Sequence, residues 1–333
     1  MKNTKKMVSA LLALLALPLV GCGSSSGSPA GDSGKKTISV IQYAPHGSLD
    51  NCYTGLLEGL AESGYKEGEN LTVNFQNAQG DVANSDLMAK NMMAQKPDMI
   101  VGIATPSAMS AYSAAKGTAT PVLFTAVSDP VAAGFMEDLT KPVNNITGSQ
   151  DLLPLEEQVK LIRAFLPDAT KIGVLYTTSE PNSISQLETL KGIAVNYGFE
   201  VIEQGVVNAS EVATAATTLS AKVDCLNNFT DNNIVNNLAV VLQAANKAGI
   251  PVFGSEIEQV KVGCLASQGI DYVALGKETG KMAAAILKGE KTVEQSPVYV
   301  ASDFAPVYNK TVADTFSLTL PEGYEAMEDV SAE

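Results

Sequence analysis

The sequence predicts an α/β protein of two doubly wound parallel-sheet lobes in series, joined by a hinge. Three observations carry this. The chain has 333 residues, more than one hydrophobic core usually organises. From Lys36 onward, short β-rich runs alternate with longer helix-like runs, the pattern of a parallel sheet covered on both faces. Around residues 146–151 the alternation resets, and then it repeats.

In the first set, 37–42 (TISVIQ) reads as a strand and 49–63 as a helix stopped by Gly64. The strand 71–77 (LTVNFQN) and the helix 85–95 follow, then the apolar strand 99–103 (MIVGI) and the helix 107–116. The strand 121–125 (PVLFT) leads to a short helical piece over 131–137. In the second set, helix 155–165 precedes strand 171–176 (KIGVLY), helix 183–197 and strand 199–207. Helix 211–221, strand 223–229 and helix 234–248 come next, then strands at 251–254 and 262–267. A helix over 273–288, a strand-like 297–300 and a last helix near 309–316 complete the pattern.

The amino terminus sets the compartment. Lys2, Lys5 and Lys6 precede an apolar run over 7–20, the length of a signal-peptide core and too short to span a bilayer. Leu19-Val20-Gly21-Cys22 resembles the lipobox of bacterial lipoproteins, which implies cleavage before Cys22 and lipid attachment to it. The Gly/Ser-rich stretch over 22–35 is then a flexible tether. Without residues 1–21, three of the 22 basic residues are gone, leaving 19 against 36 acids, a net charge of −17. Such a surface repels nucleic acid, so no nucleic-acid partner is expected. Cys52, Cys225 and Cys264 remain; the last two sit in apolar runs as small buried hydrophobes, and no disulfide is expected.

In open doubly wound sheets the ligand crevice lies beyond the carboxyl ends of the strands. In the first lobe those loops hold Thr105 and Ser107, which begin a helix suited to a carboxylate, and Asp129. In the second they hold Ser179, Asn182 and Ser183, then Asp231 and Asn232, then Ser255 and Glu256. Hydroxyls and amides suit a carboxylate; Asp231 or Glu256 suits a cationic group. Taken singly, each is as readily a helix cap or a turn residue. One histidine, His46, rules out a His-rich metal cluster, and neither Gly-x-Ser-x-Gly nor a Walker loop occurs, so no catalytic role, cofactor or metal is expected.

The runs TPSA (105–108), FTAVSDPVAAG (124–134), NITG (145–148), IGVLY (172–176) and SEPNS (179–183) resemble the ABC transporter substrate-binding family that includes tryptophan- and other aromatic-amino-acid-binding lipoproteins. FTDN (229–232), IPVFGSE (250–256) and GIDY (269–272) continue the resemblance to about Pro321. It implies a type I periplasmic-binding fold, with lobe I at 36–148 plus 268–295 and lobe II at 149–267 plus 296–333. It adds Gln42 and Asp50 to the candidate site, from a first loop in which Gly47 stands where the family commonly has proline. The chain has no tryptophan, so aromatic stacking would fall to Tyr43, Tyr53, Phe124, Phe229 or Phe253. The resemblance implies an extracytoplasmic, lipid-anchored monomer that captures a small zwitterion, an amino acid above all, for an ABC permease in the membrane. A ligand-sensing partner of a membrane receptor, a nucleoside or sugar binder, and an enzyme on the same fold are the alternatives.

Overall fold

The computed structural model describes residues 34–331 apart from Asp303; Cys22 and the expected signal and tether lie outside the described residues. The chain first builds β1 (Lys36–Gln42), α1 (Gly47–Glu62), β2 (Leu71–Asn77), α2 (Val82–Ala94), β3 (Met99–Ile103), α3 (Thr105–Ala115), β4 (Val122–Thr125) and β5 (Ile146–Gln150). It continues with α4 (Leu155–Phe165), β6 (Lys171–Thr177), α5 (Pro181–Ala194), β7 (Glu200–Val206), α6 (Ala209–Ser220) and β8 (Cys225–Asn227). Next come α7 (Asn232–Asn236), α8 (Leu238–Ala248), β9 (Val252–Phe253), α9 (Ile257–Val262) and β10 (Ala266–Ile270). The chain closes with α10 (Tyr272–Leu287), β11 (Tyr299–Val300), β12 (Phe304–Tyr308), α11 (Lys310–Thr315) and β13 (Glu328–Asp329).

Two parallel sheets result. The first runs β11-β5-β4-β3-β1-β2, and the second β7-β6-β8-β9. In each, strand order reverses once, between β1 and β3 and between β6 and β8, which are the switch points where doubly wound sheets open a crevice. Register is in step across the first sheet, with Ile38 opposite both Val73 and Met99. Burial sets the composition of the strands: all five residues of MIVGI in β3 are buried, as a strand covered on both faces requires. The chain passes between the sheets three times, after β5, after β10 and after β11. Against the expected lobe ranges, Ser149 and Gln150 lie in β5, 268–270 lie in β10, and β11 pairs with β5.

Helices α1 and α10 meet through glycines. A Cβ on Gly55 or Gly59 would overlap the Val273 or Lys277 carbonyl, and one on Gly276 or Gly280 the Cys52 or Leu56 carbonyl. The paired Gly-x-x-x-Gly faces let the two backbones touch beneath the first sheet, burying Leu56, Leu60, Leu275 and Ala283.

Several elements differ from expectation for physical reasons. Residues 131–137 form turns, because Asp129 Oδ1 accepts the Ala132 N–H and Gly134 takes a φ of 75°. The helix expected over 234–248 is two helices, broken at Asn237, whose side chain donates to the Asn233 carbonyl. The strand expected over 262–267 is displaced to β10. Glu256 caps α9 through the Glu258 and Gln259 N–H groups, and Gly263 at φ 137° ends that helix. The unforeseen β12 pairs antiparallel with β10, an exception to the all-parallel expectation. Backbone hydrogen bonds from Leu265 to Val252 and from Gly254 to Ala266 join this small sheet to β9. The cysteines Cys52, Cys225 and Cys264 are buried and unbridged.

Candidate functional site

The carboxyl ends of both sheets converge on one enclosed cleft between the strand tips. His46 and Ser48 follow β1, Ala104 and Thr105 follow β3, Ala126 and Ser128 follow β4, and Asp151 follows β5. From the second sheet, Asn182 follows β6, and Thr230 and Asn232 follow β8. Both switch points therefore face the same space. Leu49, Val235, Gln259 and Tyr272 complete the lining. A more open recess near Gly117, Asn145 and Glu294 lies at the opposite, amino-terminal edge of β4 and β5, away from these tips.

Hydrogen bonds tie the two sides together. His46 Nε2 lies 3.3 Å from Asn232 Oδ1, and the Ser128 and Thr230 hydroxyls are 3.3 Å apart. Outside the cleft, Ser185 donates to Asp129 Oδ2 at 2.5 Å and Asn51 to Glu258 Oε1 at 3.1 Å. On the crossings, Gln158 Nε2 donates to the Gly254 carbonyl while its Oε1 accepts the Gln268 N–H.

Three buried polar atoms on the lining residues have no partner within the protein: Asp151 Oδ1, Asn182 Oδ1 and His46 Nδ1. A buried polar group left unpaired costs about 1–3 kcal/mol, so three around one cleft mark where hydrogen bonds are still to be made. Asp151 is the one carboxylate among the lining residues, and none is Lys or Arg. Its other oxygen accepts the Tyr272 hydroxyl at 2.7 Å, and burial pushes its carboxyl up to about 6. Burial likewise lowers the imidazole of His46.

Of the residues nominated from sequence, Thr105, Asn182 and Asn232 line the cleft. The others are engaged elsewhere. Asp231 takes the Thr177 N–H and hydroxyl, the Ser183 hydroxyl and the Ile234 N–H, so it caps α7 and both it and Ser183 are used up. Glu256 caps α9, and Ser255 donates to the Asn228 carbonyl. Ser107 bonds Ser85 between α3 and α2, and Gln42 holds the exposed Asp50 at 2.6 Å. Ser179 is exposed at a different recess, and Asp129 bonds Ser185. The nominated aromatics do not line the cleft either. Phe124, Phe229 and Phe253 are fully buried core, Tyr53 packs on Phe75 and Tyr43 lines the Ser179 recess.

Sequence reasoning missed Ser48, Ser128, Asp151, Thr230 and Tyr272, and Glu180 behind them. Buried Glu180 accepts from the Asn232 backbone N–H, the Asn232 and Asn182 side-chain amides and the Asn233 N–H, orienting both cleft amides. Burial, together with the neighbouring Asp231, raises its carboxyl. Asp151 had a usable signal, since it directly follows the buried run 146–150.

A family model described as ABC transporter substrate binding protein matches residues 37–328. The chain is 38% identical over 319 residues to a tyrosine-binding protein of Clostridioides difficile (strain R20291), covering 93% of this chain and 92% of that one. It is also similar to an ABC domain in complex with L-Trp from Streptococcus pneumonia, at 38% identity and TM-score 0.84, covering 87% of this chain and 97% of that one. The ligand-free, open structure of a substrate-binding protein with adhesive properties from Clostridium difficile matches at the same 38% identity with TM-score 0.68, covering 90% and 100%. With a family match along nearly all of the described chain, this protein belongs to the ABC transporter substrate-binding protein family.

Proposed function

We propose that this protein captures an aromatic α-amino acid between two closing lobes and presents it to an ABC importer. The observation that carries this reading is the enclosed cleft, with one carboxylate and three unpaired buried polar atoms around an apolar middle of Leu49, Ala104, Ala126 and Val235. The substrate's ammonium pairs with Asp151 and Asn182 Oδ1. Its carboxylate meets Thr105 at the start of α3, where the helix N-terminus favours an anion. The side chain lies along the apolar middle.

Lobe I then comprises 36–150 with 271–300, and lobe II 151–270 with 301–331, hinged at the three crossings. At equal identity, the higher TM-score to the L-Trp complex than to the ligand-free open structure supports a closed arrangement here. Closure about such a hinge buries the ligand and forms the joint surface that a permease recognises. The basic n-region, the short apolar run and Cys22 support an extracytoplasmic protein held to the membrane by lipid on that cysteine.

Isothermal titration against the amino acids, with nucleosides and sugars alongside, tests the ligand class. Binding of tyrosine or tryptophan in the micromolar range or tighter is expected. Heat from none of the amino acids would remove the assignment. Incorporation of labelled palmitate, abolished by Cys22→Ala, tests the anchor.

A further inference from the structure

We propose that His46, as its Nε2–H tautomer, is a specificity residue that accepts a hydrogen bond from a donor at the far end of the ligand's side chain. A phenolic hydroxyl or an indole N–H would be selected over a bare phenyl ring. The inference rests on the amino-acid reading above and deepens it.

The tautomer follows from a chain of hydrogen bonds. Glu180 Oε2 accepts the Asn232 backbone N–H at 3.1 Å and the Asn182 amide at 3.2 Å, so the Asn232 atom 2.7 Å from it is the amide nitrogen. Asn232 therefore turns its carbonyl oxygen to His46 Nε2, which must be the donor. A buried, neutral imidazole with its proton on Nε2 has a bare Nδ1, and that atom has no partner in the protein. It is an acceptor waiting for a donor.

An ammonium held at Asp151 is not that donor. Asp151 follows β5 and His46 follows β1, three places apart in the order β5-β4-β3-β1. At about 4.8 Å per strand the two tips lie roughly 14 Å apart along the sheet edge. Asn182 donates both to the Thr230 carbonyl and to Glu180, and the Thr230 hydroxyl lies 3.3 Å from that of Ser128 beyond β4, so Asn182 stands between the two ends. One end of the cleft thus takes the amino group, and the other offers a lone acceptor to whatever the side chain carries there. A phenyl ring would leave Nδ1 buried and unpaired.

The test compares tyrosine, tryptophan and phenylalanine by titration on the wild-type protein and on His46→Leu. Wild type should prefer tyrosine or tryptophan over phenylalanine by roughly 10- to 100-fold, the worth of one buried hydrogen bond. In His46→Leu, which also loses the Asn232 contact, all affinities fall but the preference should shrink to within about threefold. A preference that survives the substitution, or a wild type that binds phenylalanine as tightly as the others, overturns the inference while leaving the amino-acid reading intact. Binding of no aromatic amino acid by the wild type defeats that reading instead. Because His46 is the sole histidine of the chain, imidazole ¹⁵N NMR of the unmodified protein reads it without assignment. Nε2 should carry the proton throughout, and Nδ1 should shift on adding tyrosine but not phenylalanine. A proton on Nδ1, or an Nδ1 signal indifferent to tyrosine, overturns the proposal.

Discussion

Replacing Asp151 by asparagine should move stability and affinity in opposite directions. Asparagine keeps the shape and an acceptor for Tyr272 but not the charge. Burial raises the Asp151 carboxyl from 3.8 to about 6, so the folded protein holds this proton more tightly than the unfolded chain. The stability that comes with the protonated form is complete below about pH 4 and is lost as pH rises through about 6. Two pH units correspond to roughly 3 kcal/mol, the cost the ligand-free protein carries near pH 7.5. Without that buried charge, the ligand-free variant should melt several degrees higher at about pH 7.5 and no higher at about pH 4. Its affinity should fall, because truncating one partner of a buried charge pair costs about 2–5 kcal/mol, or roughly 30- to several-thousand-fold. In the wild type, the ammonium must displace the proton at acid pH. Kd should therefore weaken about tenfold per unit below about pH 6 and be flat above it. Scanning calorimetry and titration between about pH 4 and pH 8 measure both effects. A variant that binds like wild type, or a wild-type Kd indifferent to pH in that window, would refute the role given to Asp151.

Ser185→Ala removes the 2.5 Å bond to Asp129 that spans the two sides outside the cleft. Stopped-flow release should quicken by roughly 5- to 30-fold, one charge-assisted hydrogen bond, with the ligand-free melting temperature unchanged. Gly276→Ala drives a methyl into the Cys52 carbonyl; urea unfolding should show a loss of about 2 kcal/mol or more, since neither helix backbone can yield locally. Buried Cys52, Cys225 and Cys264, with thiols pushed up by burial, should stay unmodified by iodoacetamide in the native protein and react fully in guanidinium, read by peptide mass spectrometry.

The architecture was legible because burial writes itself into composition: runs such as MIVGI and KIGVLY are apolar where helices cover both faces of a sheet. The missed strand β12 shows where this signal fails. Pro306 argues against a strand, yet β13 reaches only Val307 and Tyr308, so at Pro306 the strand is an unpaired edge where a missing N–H does no harm. At the site, the rule that ligands sit beyond strand tips led to the right loops but could not choose among their residues. Asp231 and Asp151 are both acids just past a strand. One precedes a helix by one residue and is consumed as its cap; the other begins a crossing with no helix start to serve, and keeps an oxygen free. Sequence spacing carries the capping possibility of each loop, but the choice depends on backbone geometry. Tyr272 was out of reach for a different reason, since a residue opening α10 enters the cleft only because the chain has crossed back to the first sheet.

The glycine contact between α1 and α10 bears on the order in which the molecule can assemble. The mate of the first helix is encoded more than two hundred residues downstream, so the leading half of the polypeptide must wait with its glycine face bare until the trailing part has been made. Closing that long loop is slow and entropically demanding. A nascent chain gains this helix pairing only once nearly all of it has been made.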